Sequence, residues 1–213
     1  MIKNNKLPAV KICGLTDPEE AEHCAELGAD AIGLVFYPKS PRAVSIKTAQ
    51  AVCSCLPEHI MTTGVFVNRT YDDIMKTAEA CSLKAVQLHG KESPALVTRL
   101  KNSGLFVIKA LFAEKQPFLE NADQYSTASA LLVEYGRGVL PGGNAKAWNW
   151  ERARGLPRDQ MMILAGGLGP ENIQNAIKAA LPDAVDVSSG VESAPGKKDL
   201  LKVKTFIDNV RLG

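Results

Sequence analysis

Length, composition and charge restrict the chain to a few classes of protein. Its 213 residues suffice for one domain with a sizeable core, and we expect a single domain over residues 1–213. The 25 lysines and arginines nearly balance the 23 aspartates and glutamates, and no run of like charge suggests a nucleic-acid partner. No segment reaches the roughly 18 apolar residues of a membrane span, and the first residues contain no apolar signal core. We therefore expect no membrane contact and a cytoplasmic location.

The cysteines predict reduced thiols rather than a disulfide scaffold. There are five, and all lie within the first 81 positions, at Cys13, Cys24, Cys53, Cys55 and Cys81. An odd number without regular spacing is not typical of paired cysteines. Cys53 and Cys55 form the one close pair, and no second Cys or His pair accompanies them. The sequence therefore favours a helix over a zinc site at this position, and no metal is expected.

In chain order, short apolar runs alternate with amphipathic stretches from one end to the other. Eight runs predict strands, and most are continuous Val, Ile, Leu and Ala, which is typical of strands buried on both faces. The predicted strands are 10–12, 31–35, 61–67, 85–88, 106–110, 130–134, 162–165 and 184–187. The predicted helices are 18–27, 46–55, 71–80, 94–102, 170–180 and 198–210.

Eight such strand and helix units favour an α/β fold of one kind, the closed (β/α)8 or TIM barrel, over an open doubly wound sheet. The chain is short for this barrel, so its connecting loops must be short. Ser45 and Ser93 stand at expected helix N-caps, and Gly28 and Gly104 stand where a glycine ends a helix. The weakest stretch is 111–129, where Pro117 interrupts any long helix.

The first predicted strand ends in a thiol followed by a glycine, Cys13 and Gly14. A cysteine in an apolar strand is normally a small core residue, because free cysteine is among the most buried residue types. The glycine favours a second interpretation, in which the strand breaks and the sulfur faces the mouth of the barrel. Since barrel active sites form at the C-terminal ends of the strands, Cys13 is then a candidate nucleophile or base.

Two glycine- and serine-rich turns follow the seventh and eighth strands. They contain Gly166 and Gly167 in the first turn, and Ser188, Ser189 and Gly190 in the second. Loops at these two positions of a barrel commonly bind phosphate through backbone N–H groups, although glycine is also the usual residue of a tight turn. A third pair, Gly142 and Gly143, follows the sixth strand and could close over the same ligand.

Three further polar residues are candidates for the site: Arg42 and His89 follow the second and fourth predicted strands, and Asp186 lies in the eighth, just before Ser188 and Ser189. Arg42, preceded by a proline, could grip an acidic group of a ligand with two parallel hydrogen bonds, or it could be a solvated loop residue. His89 is either a site residue or a histidine that closes the fourth strand. Asp186 is expected to orient a sugar hydroxyl, with a partner role for an interior lysine as the alternative.

Six ordered segments together are more specific than any single turn. They are Lys11-Ile12-Cys13-Gly14-Leu15; Gly33-Leu34-Val35-Phe36 with Ser40-Pro41-Arg42; Gly64-Val65-Phe66-Val67-Asn68; Val86-Gln87-Leu88-His89-Gly90; Leu164-Ala165-Gly166-Gly167-Leu168 with Pro170-Glu171-Asn172; and Asp186-Val187-Ser188-Ser189-Gly190-Val191-Glu192. They cover nearly the whole chain. In sequence and order they resemble the phosphoribosylanthranilate isomerase family of tryptophan biosynthesis.

The resemblance implies a (β/α)8 barrel that performs an Amadori rearrangement without a cofactor or a metal. Its substrate is a small phosphosugar, N-(5-phosphoribosyl)anthranilate, and its product is the open-chain carboxyphenylamino-deoxyribulose phosphate. The family pattern implies Cys13 as the general base for the sugar C2 proton. It implies Glu134 as the general acid for the ring oxygen. A free thiol is mostly protonated at neutral pH, so we expect its pKa to be lowered by nearby positive charge or by a helix terminus, with Lys11 and Arg42 as the candidate charges.

The chain departs from the family pattern around the acid. Glu134 stands where the family has Asp, Asn144 and Ala145 replace Thr and Gly after the glycine pair, and Trp148-Asn149-Trp150 replaces Phe-Asp-Trp. These changes leave two alternatives open, a related phosphosugar isomerase with an altered substrate and a phosphosugar-binding barrel without turnover. The oligomeric state is expected to be a monomer or a homodimer.

Overall fold

The computed structural model describes residues 7–136, 148–157 and 159–212. In this part of the chain eight parallel strands close into a barrel in sequence order, each paired with the next and β8 with β1. The strands are β1 Ala9–Cys13, β2 Ala31–Val35, β3 Met61–Phe66, β4 Ala85–Leu88, β5 Phe106–Phe112, β6 Ala130–Glu134, β7 Met161–Leu164 and β8 Ala184–Val187. This confirms the predicted fold class.

Helices cover the outside of the barrel. The α-helices are α1 Pro18–Glu26, α2 Ile46–Cys55, α3 Tyr71–Ala80, α4 Pro94–Asn102, α5 Ile173–Ala180 and α6 Leu200–Arg211. Short 3-10 helices, Leu119–Tyr125 and Trp150–Gly155, take the place of an outer helix after β5 and β6. A further 3-10 turn, Ser189–Val191, leads into a small antiparallel hairpin of β9 Glu192–Ala194 and β10 Lys197–Lys198.

The expected helix boundaries are confirmed at the starts of α2 and α4 and at the ends of α1 and α4. The Ser45 hydroxyl accepts from the N–H of Thr48 at the start of α2, and Ser93 caps α4 in the same way. Gly28 and Gly104 have φ of +101° and +89°, and they follow α1 and α4. Because only glycine enters this left-handed region without strain, these positions end the two helices.

Two predicted helix starts are wrong, and both errors lie next to the barrel mouth. α5 begins at Ile173 rather than 170, because the Asn172 side chain bonds the carbonyl of Gly167 at 2.8 Å and the N–H of Gly169 at 2.9 Å, which holds the preceding residues in a turn. α6 begins at Leu200 rather than 198, because Lys198 belongs to β10. A lysine predicted on a helix is therefore a buried residue of a hairpin.

All five cysteines are free thiols, as the sequence predicted. Within the described residues, no helix is both long and apolar enough to cross a membrane.

Candidate active site

A cavity opens at the C-terminal ends of the barrel strands, with about 770 Å³ of empty space when its open mouth is included. It brings together ten of the twelve residues that the sequence predicts for the site. They are Cys13, Arg42, His89, Glu134, Gly166, Gly167, Asp186, Ser188, Ser189 and Gly190. The other two, Gly142 and Gly143, lie outside the described residues. The cavity therefore collects residues from strand ends that are far apart in the sequence.

Cys13 is the last residue of β1, and its side chain reaches the cavity floor although the residue is only 7% exposed. Gly33 of β2 lies opposite it in the sheet. A Cβ at Gly33 would lie 2.7 Å from the Cys13 sulfur and 3.0 Å from the Lys11 ammonium nitrogen. The missing side chain of Gly33 thus makes the room in which the thiol and the lysine meet. In the sequence this glycine is visible only as part of a family segment.

The pKa of the Cys13 thiol is raised, which corrects the expectation that it would be lowered. Burial is the largest cause, since it removes water from a thiolate. The Lys11 charge opposes this effect, Asp186 adds to it, and Lys198 opposes it more weakly. Lys11 is thus one of the expected positive charges, but the second is Lys198 rather than Arg42.

Lys11 and Asp186 form a buried ion pair at the seam where β1 meets β8. Lys11 Nζ lies 2.8 Å from Asp186 Oδ1, and the two residues are cross-strand partners. Burial lowers the pKa of Lys11, but the charges of Asp186 and Cys13 outweigh it and raise that pKa overall. Lys11 therefore points into the barrel, and Asp186 is the partner of an interior lysine, which is the alternative role expected from the sequence. Its carboxylate also lines the cavity.

Glu134 is the last residue of β6 and is buried. Its Oε1 lies 3.3 Å from His89 Nε2, and the other ring nitrogen, Nδ1, lies 3.0 Å from the Gln87 side-chain nitrogen. Because that amide donates to Nδ1, the ring proton is assigned to Nε2 and is directed at Glu134. His89 thus lines the cavity and contacts the carboxyl group of Glu134. No separate signal in the sequence points to Gln87.

Arg42 lines the cavity, but most of its guanidinium is already engaged. Nε and Nη2 each lie 2.7 Å from a carboxylate oxygen of Glu192, in a two-bond pair. This corrects the expectation that the same two-bond grip holds a ligand, because a carboxylate of the protein occupies it. The edge at Nη1 takes no part in that pair. In the sequence, Glu192 is visible only as the end of a family segment.

In the two turns after β7 and β8, glycines allow other groups to approach the backbone closely. Gly166 and Gly167 have φ of +85° and +71°, where a side chain would be strained. A Cβ at Gly190 would collide with the carbonyl oxygen of Leu168, so the two turns pack directly on each other. The Ser188 hydroxyl is buried, and no described residue hydrogen-bonds to it. This surface suits an anionic group that accepts hydrogen bonds.

Two tryptophans anchor the turn after β7, and the first of them, Trp148, stands where the family pattern has phenylalanine. The Trp148 indole N–H donates to the Ala165 carbonyl at 3.1 Å, and the Trp150 N–H donates to the Gly166 carbonyl at 3.4 Å. A phenyl ring at position 148 could not donate this bond. The substitution thus adds a contact beneath the cavity wall.

Comparison with known proteins gives a consistent result. Residues 10–209 match the family described as PRAI, N-(5'-phosphoribosyl)anthranilate (PRA) isomerase. A relative named N-(5'-phosphoribosyl)anthranilate isomerase from Desulfatibacillum aliphaticivorans is 55% identical over 200 residues, which are 94% of this chain and 91% of the relative.

Solved structures agree with this match. The phosphoribosyl anthranilate isomerase of Thermotoga maritima is similar with a TM-score of 0.89 and 39% identity, over 97% of this chain and 100% of that one. A phosphoribosyl anthranilate isomerase in complex with reduced 1-(o-carboxyphenylamino)-1-deoxyribulose 5-phosphate is similar with a TM-score of 0.84 and 37% identity, over 97% of this chain and 100% of that one. The chain belongs to the N-(5'-phosphoribosyl)anthranilate isomerase family.

Proposed function

We propose that this chain converts N-(5'-phosphoribosyl)anthranilate to 1-(o-carboxyphenylamino)-1-deoxyribulose 5-phosphate in tryptophan biosynthesis, with Cys13 as base and Glu134 as acid. One observation carries the assignment of roles. A thiol at the end of β1 and a carboxyl group at the end of β6 line one cavity, whose wall includes the glycine turns after β7 and β8. A related barrel holds the reduced form of this product, which supports the choice of ligand.

The reaction begins at the ring oxygen of the ribose. Glu134 donates a proton to that oxygen, the C1–O bond breaks, and the nitrogen lone pair forms a C1=N Schiff base. Cys13 then takes the proton from C2, and the electrons of the C2–H bond form a C1=C2 double bond. The electrons of the C1=N bond return to nitrogen and give an enol amine. It becomes the ketone as C1 takes a proton from the Cys13 thiol and the C2 hydroxyl gives its proton to the Glu134 carboxylate, which restores the base and the acid. No electrons enter or leave, so the chemistry needs only the acid and the base.

The raised pKa of the Cys13 thiol fits a base that acts after the ring has opened. A buried thiolate is unfavourable alone, and Lys11 offsets only part of the cost of burial. A protonated Schiff base beside it brings a further positive charge into the cavity. The thiolate is therefore stabilised at the step that uses it.

The contact with His89 explains how Glu134 serves in place of an aspartate. An added methylene moves the carboxyl group by roughly an ångström, which can cost about a hundredfold when geometry is tight. Here the His89 Nε2–H holds Oε1 at 3.3 Å, which leaves Oε2 to carry the proton to the ring oxygen. The longer side chain is thus anchored at one oxygen.

The phosphate would bind at the turns after β7 and β8, where Gly167, Ser189 and Gly190 line the cavity. Arg42 lines the same cavity, and its Nη1, which takes no part in the pair with Glu192, suits the anthranilate carboxylate through a single hydrogen bond. The free cysteines support a cytoplasmic location. The oligomeric state, monomer or homodimer, is measured by light scattering.

A coupled fluorescence assay of phosphoribosylanthranilate consumption tests the proposal. The parent protein is expected to turn over the substrate, and Glu134→Ala is expected to lose activity while it still binds the reduced product. Binding of the reduced product by a parent protein without turnover would instead establish a phosphosugar-binding barrel. Full activity of Glu134→Ala would show that Glu134 is not the acid, and the proposed activity of the chain would still stand.

A further inference from the structure

Two residues with no role in the reaction described above, Glu192 and Lys198, lie in the hairpin that follows β8 and belong to a buried charge cluster. It consists of Glu192 of β9, Lys198 of β10 and Arg42 of the loop after β2, and we call these three residues the charge triad. The hairpin is fixed to the start of the chain. Thr16 Oγ1 donates to the carbonyl of Gly196 at 2.7 Å, which ties the turn of the hairpin to the segment that follows Cys13.

Lys198 is engaged at all three of its donor positions. Its Nζ lies 2.7 Å from the Cys13 carbonyl oxygen, 3.2 Å from the Ser188 carbonyl oxygen and 2.9 Å from Glu192 Oε1. The side chain is 0% exposed; burial lowers the pKa of Lys198, and the charge of Glu192 opposes that effect. An ammonium group has three protons, so this lysine has a full set of partners. One of those partners is the backbone of the proposed base.

Glu192 holds two cations with one carboxylate. It accepts two bonds from Arg42 and one from Lys198, and its side chain is only 5% exposed. Burial raises the pKa of Glu192, but the hydrogen bonds from Arg42 and the charge of Lys198 lower it overall, so the carboxylate stays ionised. Two positive charges against one negative charge leave the charge triad with a net charge of +1.

The charge triad surrounds the turn at the end of β1. A Cβ at Gly14 would lie 2.5 Å from Cδ of Arg42, so the arginine stem packs directly on the residue after Cys13. The other charged groups that face the thiol are Lys11 and Asp186, which neutralise each other as a pair. The charge triad is therefore the group that leaves a net positive charge beside the sulfur.

We propose that Lys198 and Glu192 are positioning residues of the isomerisation. Lys198 holds the Cys13 carbonyl and places a positive charge beside the thiol, and Glu192 fixes Arg42 over Gly14, where the arginine lines the cavity. This inference rests on the proposed role of Cys13 as the base. Buried ion pairs are weak evidence for stability, so a net charge at this place calls for a functional reason.

Two substitutions change the charge of the triad in opposite directions. Lys198→Met removes a positive charge, so the pKa of the Cys13 thiol rises and the thiolate fraction at neutral pH falls. Glu192→Gln removes the negative charge and keeps the shape, so the thiol pKa falls, while a loosened Arg42 raises KM. General damage to the fold does not produce opposite pH shifts from two members of one cluster.

The experiment measures kcat/KM from pH 6 to pH 10 and the rate at which iodoacetamide alkylates Cys13, read by peptide mass mapping. For Lys198→Met we expect the rising limb of both profiles to move to higher pH, with about a tenfold loss at pH 7 when the limb moves by about one pH unit. For Glu192→Gln we expect both limbs to move to lower pH and KM to increase. Lys198→Gln, which can still donate to the Cys13 carbonyl, separates the charge from the hydrogen bond and covers the case in which Lys198→Met does not fold.

Lys202→Met is the matched control. Lys202 Nζ also bonds the hairpin, at 3.0 Å from the Glu192 carbonyl oxygen, but it lies on the exposed side of α6. Both profiles of this variant are expected to follow the parent. Unmoved limbs, or limbs that move in the same direction in Lys198→Met and Glu192→Gln, overturn the inference. If the alkylation limbs move as expected while the kcat/KM limbs do not, Cys13 is not the base, and the proposed mechanism fails rather than the electrostatic argument.

Discussion

The cavity has a base side, around Cys13, and an acid side, around Glu134 and His89. Both sides contain the same arrangement of a buried lysine and a glutamate, but the two arrangements differ in net charge. On each side a buried lysine bonds a glutamate and two backbone carbonyls at strand ends. Lys198 does so beside Cys13, and Lys109 does so beside His89, where its Nζ lies 2.8 Å from Glu92 Oε2 and 2.8 Å and 3.1 Å from the carbonyl oxygens of Gly90 and Leu88. These carbonyls flank the histidine that contacts the proposed acid.

The two sides differ in how the glutamate is satisfied. Glu192 is shared by two cations, whereas the Glu92 carboxylate accepts from the N–H groups of Gly90 and Asn68 and from Lys109 alone among the described cations. The base side therefore carries a net positive charge, and the pair on the acid side is neutral. A positive charge favours a thiolate, and it would disfavour a protonated carboxyl group. The charge triad thus adds a positive charge where a proton must be lost, whereas the Lys109–Glu92 pair adds none beside His89. A cation whose charge does interact with Glu134 is Lys115, which lies over the Phe112 ring.

The largest expected effect comes from removing the base itself. Cys13→Ala leaves the lysines in place without the group that takes the C2 proton, and we expect kcat to fall by about 10³- to 10⁴-fold. The measurement is the coupled fluorescence assay, with binding of the reduced product as the control for an intact cavity. A loss below tenfold would mean that the charged side of the cavity does not serve a base at position 13.

Breaking the ion pair between Lys109 and Glu92 on the acid side is expected to change mainly the free energy of unfolding. Lys109→Met leaves the Glu92 charge buried without its cation, which costs about 3–5 kcal/mol in the free energy of unfolding. The double variant Lys109→Met with Glu92→Gln is expected to recover much of this loss, because no buried charge remains. Urea unfolding of the two variants measures the difference. Equal stability of the single and the double variant would contradict the ion-pair explanation.

Shortening the acid tests whether His89 holds it. Glu134→Asp withdraws the carboxyl group from His89 Nε2 by roughly an ångström, and we expect kcat to fall by about tenfold to a hundredfold although the family has aspartate here. KM is expected to change little, since no proposed phosphate contact is altered. An increase in kcat would instead show that the glutamate is the poorer acid and that the contact with His89 does not compensate for its length.

The sequence predicted the barrel because the evidence for it is local. Continuous apolar runs such as 31–35 and 184–187 mark buried strands, and caps such as Ser45 mark helix starts, without knowledge of any distant residue. The strand ends then brought ten of the twelve candidate residues to one cavity. Repetition of one unit eight times explains why local patterns suffice to predict the whole fold.

The charge pairing could not be predicted in this way, because each pair joins residues far apart in the sequence. Lys11 and Asp186 are 175 positions apart, and Arg42 and Glu192 are 150 positions apart. The sequence favours a ligand for Arg42 because nothing near Arg42 in the chain points to Glu192. It places Lys198 on a helix because Lys198 adjoins the amphipathic stretch that forms α6. The expected pKa of Cys13 is wrong for the same reason, since burial is a property of the packed barrel.

The smallest expected effect concerns Trp148, which adds a contact to the acid side that the family phenylalanine would lack. Trp148→Phe removes the indole N–H that bonds the Ala165 carbonyl at 3.1 Å, at the edge of the turn after β7. We expect a loss of about 1 kcal/mol in the free energy of unfolding, the usual contribution of one such bond, and a KM within twofold of the parent. Urea unfolding and the fluorescence assay measure the two quantities. A severalfold increase in KM without a change in stability would show that the indole acts on the ligand rather than on the turn. The acid side of the cavity would then depend on the segment that contains Trp148, as the base side depends on the hairpin of β9 and β10.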